Sequence, residues 1–344
     1  MNPLIWATLI SSLSTSTIIT MSSHHWLLAW LGLELNTLSI LPIITKPHHP
    51  RATEAATKYF LIQATAAALV LLSGAMNTWQ TGQWLISQPM EPAPSVTLLA
   101  AITLKLGIAP AHAWFPEVLQ GSTMTTALIM STWQKLAPLT FLYLTLNHMS
   151  TVAILCIGLL SALMGGLMGL NQTQTRKIMA FSSIAHMGWL MVALTANLSL
   201  TTLTLLTYMT MTTTMFIMLS ATNAKSLPDL GNAWSHSPTL QAMTLITLMS
   251  LGGLPPLTGF MPKWLILKEL TSIKLTFIST AMILASLPSL FFYTRMTYVT
   301  TLTSPPNTTN TKHTWRFKPT TKPMALMTLL STSLLLTTPL LYTT

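Results

Sequence analysis

The sequence has 344 residues, of which 51% are hydrophobic and only 6% charged, where an ordinary soluble domain carries about 25% charged residues. Such a composition belongs to a polytopic membrane protein. The net charge of +10, from 16 Lys and Arg against 6 acids, gathers in the connections between apolar runs, which argues for membrane orientation and against nucleic-acid binding.

Cutting the chain at turn residues and charges gives eleven candidate spans, at about 3–22, 25–44, 52–78, 95–121, 124–146, 150–170, 174–195, 199–222, 239–268, 273–298 and 323–342. The first, MNPLIWATLISSLSTSTIIT, has no basic n-region, no small-residue cleavage site and no Arg-rich amphipathic pattern, so a retained helix with Pro3 at its start is expected. Connections after even-numbered spans carry Lys46 and Arg51, then Arg176 and Lys177, then Lys225, then Lys312, Arg316 and Lys318. Most odd-numbered connections carry neither Lys nor Arg. Only Lys268 and Lys274, mixed with Glu269, depart from this. The positive-inside rule then puts the N-terminus and the even connections in the inner compartment and the C-terminus outside. The polar stretch 303–322 is the one long connection, expected as an inner surface loop.

The fourth and ninth spans should be broken. Between Lys105 and Lys135 the chain reads Gly107-Ile-Ala-Pro110-Ala-His112-Ala-Trp-Phe-Pro116, and each proline removes a backbone donor and clashes with the preceding turn. The pattern Leu106-Gly107-x-x-Pro110-x-x-x-x-Phe115 recurs 145 residues later as Leu251-Gly252-x-x-Pro255-x-x-x-x-Phe260. Each copy has a lysine close by, Lys105 before the first and Lys263 after the second. Paired interrupted helices in two halves are the best sequence pointer to a transport site, because irregular backbone at membrane depth survives only inside protein or beside a wet cavity.

Ionisable residues within apolar spans mark ion routes by default. Glu34 lies deep in WLLAWLGLELNTLSILPII, and Lys105 and Lys135 are each deep in an apolar run; a cation there costs about 2.5–3.5 kcal/mol on insertion scales. The alternatives are a protonated Glu34 bonded to a backbone carbonyl, and lysines that pair with an acid or with a carbonyl freed by proline. Pro138 would free the carbonyl of Gln134, and Pro110 and Pro255 those of Leu106 and Leu251. His112 and His186, both inside spans, can accept and donate a proton near neutral pH or make a structural hydrogen bond. His24, His25, His48 and His49 stand as loop pairs without a third ligand, which favours interfacial packing over a metal site. Gly165-Gly166-x-x-Gly169 suits close helix packing, and Trp26, Trp79 and Trp84 suit a membrane interface. The single cysteine, Cys156, supports neither a disulfide framework, a Cys-ligated cluster nor a thiolate zinc site. No GxGxxG, P-loop, HExxH or GxSxG is present. No cofactor or metal is therefore expected on this chain, and redox groups would sit in partners.

WLGLELNTLSILPII, LKLGIAPAHAWFPEVLQG, WQKLAPL, RKIMAFSSIAHMGWL and LMSLGGLPPLTGFMPKWLIL together resemble the antiporter-like membrane subunits of NADH:ubiquinone oxidoreductase, respiratory complex I, in their vertebrate mitochondrial form. The resemblance covers essentially the whole chain. It implies an all-α membrane fold of two inverted helical repeats, roughly 25–146 and 150–298 with flanking helices 3–22 and 323–342, and a part in proton translocation in the mitochondrial inner membrane. Glu34, Lys105, Lys135 and Lys263 fall on the positions where such subunits carry their charged residues, and His186 matches a less uniform central polar position. It further implies that NADH, FMN, iron–sulfur clusters and ubiquinone are handled by partner subunits. Other membrane-arm and accessory subunits and the lipid bilayer, with cardiolipin a candidate lipid, are the expected partners. Relative to the longer bacterial pattern, three N-terminal helices are missing, which leaves a flank for a partner or lipid to cover. A free-standing cation/proton antiporter, or a structural filler of a membrane arm with fixed ion pairs, would show the same charged positions.

Overall fold

The computed structural model describes residues 3–231, 238–303 and 324–343. These are helical, with no strand among the described residues, as expected where each segment must satisfy its own backbone polar groups in hydrocarbon. The chain divides into two compact units, Met1–Ile154 and Leu155–Thr344. The first holds α1 (Pro3–Ser22), α2 (Trp26–Thr45), α3 (Pro50–Thr81), α4 (Pro92–Leu106), α5 (Trp114–Gly121), α6 (Met124–Ser131) and α7 (Leu136–Thr145). Apart from the first residues of α8 (Thr151–Gly169), the rest belong to the second: α9 (Thr175–Ala196), α10 (Leu198–Thr222), α11 (Leu227–Gly231), α12 (Pro238–Gly252), α13 (Phe260–Ser272), α14 (Thr276–Leu302) and α15 (Met324–Thr343). Seven described helices, α1, α2, α3, α8, α9, α10 and α14, are long and apolar enough to cross a membrane. The expected spans 95–121 and 239–268 each correspond to two shorter helices, α4 with α5 and α12 with α13.

Span 124–146, expected as one apolar run, is instead divided by a 3-10 turn at Trp133–Lys135. The cause lies upstream of Pro138. The Leu128 carbonyl accepts from the Thr132 hydroxyl at 2.7 Å, the Ser131 hydroxyl at 3.0 Å and the Thr132 amide at 3.0 Å, and such side-chain bonding bends helices. Pro138 falls in the first turn of α7, where a missing donor does no harm.

Of three other expectations, that for Trp26 changes, the loop histidines gain a capping role, and the long polar connection lies outside the described residues. Trp26 is 2% exposed and packs edge-on against Phe141 with ring centres 5.6 Å apart, so it is a core residue and not an interfacial one; Trp79 is exposed. His25 and His49 are N-caps, each Nδ1 accepting a backbone amide at 3.2 Å, from Leu27 and Arg51. The stretch 303–322 lies, from residue 304 on, outside the described residues.

In the second unit the glycines of α8 permit the close packing expected of them. A Cβ on Gly165 would stand 2.6 Å from the Ala185 amide of α9, and one on Gly169 would stand 2.9 Å from the Phe292 ring of α14. The start of α9 is tied to the connection after α10, with the Thr175 hydroxyl donating to the Ala224 carbonyl at 2.9 Å and the Leu227 amide to the Thr173 carbonyl at 3.1 Å.

Candidate functional site

The two repeated motifs end their helices in the same way. After α4 the Gly107 amide donates to the Leu104 carbonyl and the Ile108 amide to the Thr103 carbonyl; after α12 the Gly253 amide donates to Ser250 and the Leu254 amide to Met249. These are Schellman caps, which place one residue in the left-handed region and so favour glycine there. Gly107 has φ +66° and Gly253 has φ +83°. The caps therefore correspond at a separation of 146 residues, one more than the sequence motif suggests, because the left-handed glycine is the second of the pair Gly252-Gly253.

In each break a side chain from another helix, or from beyond the break, occupies a terminal carbonyl. Gln63 of α3 donates to the Lys105 carbonyl at 3.4 Å, and Lys263 of α13 donates from Nζ to the Gly252 carbonyl at 3.1 Å. A cation at the carbonyl end of a helix is favoured by the local dipole. The freed acceptor that Lys263 takes is thus Gly252, the neighbour of the expected Leu251.

A cavity with some polar side chains in its lining stands beside each break. In the first unit it is lined by Asn36, Tyr59, Gln63, Lys105, Gln134 and Lys135, with Leu33, Phe115 and Pro138 among its apolar walls. It offers about 20 Å³ to water centres, above the ~10–15 Å³ that one water needs. Lys105 is 7% exposed and Lys135 3%. The Lys135 Nζ lies 4.9 Å from the centre of the Phe115 ring, a cation–π contact. Gln134 donates to Asn36 Oδ1 at 3.0 Å, joining the lysine turn to α2. Glu34 stands next to the lining residue Leu33. Neither Glu34 Oε2 nor Lys105 Nζ has a hydrogen-bond partner in the structure.

In the second unit the cavity is lined by His186, Trp189, Thr204, Thr207, Tyr208 and Lys263 together with Met211, Gly259, Pro262 and Ile266, and offers about 30 Å³ to water centres. The Lys263 Nζ lies 5.9 Å from the Trp189 ring centre, and the His186 ring is 5.7 Å from that of Tyr208.

The structure thus brings Lys105 and Lys135 to one cavity and His186 and Lys263 to another. His112 lines neither; it is 6% exposed in the turn after α4, with Nδ1 3.2 Å from the Pro110 carbonyl. Among the described residues no group of three His, Cys, Asp or Glu side chains could hold a metal. The side chains of the uncharged polar members Asn36, Gln63, Gln134 and Tyr208 were not singled out from sequence. An amide inside an apolar run, such as Gln63 in YFLIQATAAALVLL, is the signal that would have found the first three.

Comparison with known proteins supplies the family. The profile described as "NADH:quinone oxidoreductase/Mrp antiporter, TM" matches residues 23–288, and one described as "NADH dehydrogenase subunit 2 C-terminus" matches 290–342. NADH-ubiquinone oxidoreductase chain 2 of Xenopus laevis is 52% identical over 316 residues, 92% of each chain. That of Coturnix japonica is 51% identical over 344 residues, covering 100% of this chain and 99% of the relative. Among solved structures, a chain of respiratory complex I from Thermus thermophilus with bound aureothin is similar with a TM-score of 0.83 and 28% identity, over 96% of this chain and 78% of that one. With relatives matched along its whole length and the antiporter profile running through both lysine cavities, this chain belongs to the family of NADH-ubiquinone oxidoreductase chain 2.

Proposed function

We propose that the chain is a core membrane-arm subunit of the proton-pumping NADH:ubiquinone oxidoreductase of the mitochondrial inner membrane, and that it contributes a proton route coupled to electron transfer elsewhere in the complex. The observation that carries this is the placing of lysines beside cavities, each with some polar side chains in its lining, at two helix ends of the same construction. Buried ionisable groups beside interrupted helices are the features of a membrane ion path.

In this reading α4 with α5 and α12 with α13 are the halves of two broken spans in an eleven-span, antiporter-like domain. Its inverted half-repeats cover roughly 25–146 and 150–298, and α1 and α15 flank them. The N-terminus and the connections bearing Lys46, Arg176 and Lys225 face the matrix, and the C-terminus faces the intermembrane space. Glu34 sets the charge felt at Lys105; Lys105 and Lys135 share the water of the first cavity; His186 and Lys263 load and release protons in the second. His112 serves the turn after α4. If Glu34 moves relative to Lys105, the charge on the next lysine switches in turn. Moving one charge through 100 mV takes about 2.3 kcal/mol, and this drive comes from partner subunits that hold FMN, iron–sulfur clusters and the NADH and ubiquinone sites. This chain binds no cofactor; its partners are the other membrane-arm and accessory subunits and bilayer lipid, cardiolipin included.

Native electrophoresis of gently solubilised membranes, stained for NADH oxidation, tests the assignment. Co-migration of the chain with the NADH-oxidising band is expected. Migration apart from it would make the chain a free-standing antiporter.

A further inference from the structure

Tyr293 of α14 lies between two groups of the proposed route and has been given no part in it so far. It is 1% exposed. Its hydroxyl is 3.4 Å from Nε2 of His186 on α9. Its Cβ lies 3.7 Å from the position that a Cβ on Gly252 would take, and Gly252 is the residue whose carbonyl holds Lys263 Nζ. Ser182 stands one turn before His186 on α9. Ser182 sends its own hydrogen to the Met179 carbonyl at 2.7 Å, so its oxygen is left to accept.

Resting on the assignment of His186 to the proton route, we propose that Tyr293 is the positioning residue for that histidine, a hydroxyl that reverses its hydrogen bond as the imidazole gains and loses a proton. A phenol can both donate and accept. When Nε2 carries no hydrogen, the Tyr293 hydroxyl donates to it. When Nε2 takes up a proton, the ring becomes the donor, the Tyr293 oxygen accepts, and the phenolic hydrogen turns away from the ring. The tyrosine keeps its own hydrogen throughout, so the swap neither consumes nor releases a proton. His186 Nε2 is then hydrogen-bonded in both of its states. Losing the hydroxyl would remove this bond to Nε2, shift the balance between the two states and slow their exchange. Neighbouring Tyr208 supplies a ring wall to the histidine from α10, whereas Tyr293 supplies the bond.

The test is a double-mutant cycle in the assembled complex, with turnover expressed per assembled enzyme. Tyr293→Phe keeps the ring and removes one oxygen. It is expected to lower NADH:ubiquinone turnover about fivefold to tenfold, the scale of one lost buried hydrogen bond. In a His186→Gln background the same Tyr293→Phe substitution is expected to cause no further loss. Wild-type turnover in Tyr293→Phe would overturn the proposal, and so would an equal fold-loss in both backgrounds, because the hydroxyl would then act somewhere other than on the histidine. Wild-type turnover in His186→Gln would remove the histidine from the route and take the proposal with it. Those results leave the first-unit lysines untouched, so failure here and failure of the proton-route assignment are read from different variants.

Discussion

Glu34 and Lys105 form no contact pair: neither Glu34 Oε2 nor Lys105 Nζ has a hydrogen-bond partner. A contact pair would be a fixed structural bridge; a separated pair can be tuned by small movements, because the Coulomb energy changes steadily with distance.

Glu34→Gln keeps the shape of the side chain and removes the charge it can carry. Loss of an interaction of about 1 kcal/mol slows turnover about fivefold, so the complex should assemble normally and turn over several-fold more slowly. Quinone reduction and proton uptake per assembled complex measure it. Wild-type rates at wild-type abundance would leave Glu34 a structural residue.

Gly253 and Gly252 separate backbone strain from crowding. Gly253 has φ +83°, and a Cβ there would stand 2.9 Å from Lys263 Nζ; Gly252 has no positive φ, and a Cβ would meet Tyr293 at an ordinary 3.7 Å. A side chain in the left-handed region costs about 1–2 kcal/mol. Gly253→Ala is expected to lower both the thermal stability of the complex and its turnover, and Gly252→Ala to do so less. Equal melting and equal activity in the two variants would mean that the second cap does not hold Lys263 in place.

The helical segments and the ends of α4 and α12 were legible in the sequence because each has a local cause: apolar runs, and glycine with proline where those two helices stop. What it hid depends on packing. Trp26 became a core residue because α2, α3 and α7 close around it. The turn at Trp133–Lys135 follows from Ser131 and Thr132 both bonding back to Leu128, which no apolar pattern records. Gln63 and Tyr293 reach their partners across 42 and 107 residues of sequence, a distance that periodicity within one helix does not cover.

Asp229, on the connection after α10, gives a pH dependence outside the spans. The Ser226 hydroxyl, foremost, and then the Ser226 and Lys225 amides hold its carboxyl below the usual carboxylate range. A group whose folded pKa is depressed stabilises above its unfolded value, and that contribution is lost as pH falls through the folded one. The protection of the 224–231 amides relative to their intrinsic exchange rates should therefore fall on acidification. Asp229→Asn should be less protected at neutral pH and lose this acid dependence; identical protection profiles in the two proteins would contradict the assignment.

Orientation can be read with membrane-impermeant thiol reagents on single cysteines introduced in a Cys156→Ser background. A cysteine at position 47 is expected to react only from the matrix face, and one at 344 only from the intermembrane face. Reaction of both from one face would overturn the eleven-span count.

Lys135→Arg addresses the central claim, that buried lysines beside the breaks exchange protons. Arginine keeps the positive charge and adds donors, but its pKa above about 12 holds the proton throughout the cycle. If Lys135 were a fixed cation over Phe115, arginine would serve. The measurement is proton uptake coupled to quinone reduction by the Lys135→Arg complex in reconstituted vesicles, at matched complex abundance. The account predicts an assembled complex in which pumping is strongly impaired; normal pumping at normal abundance would contradict it and remove Lys135 from the proton path.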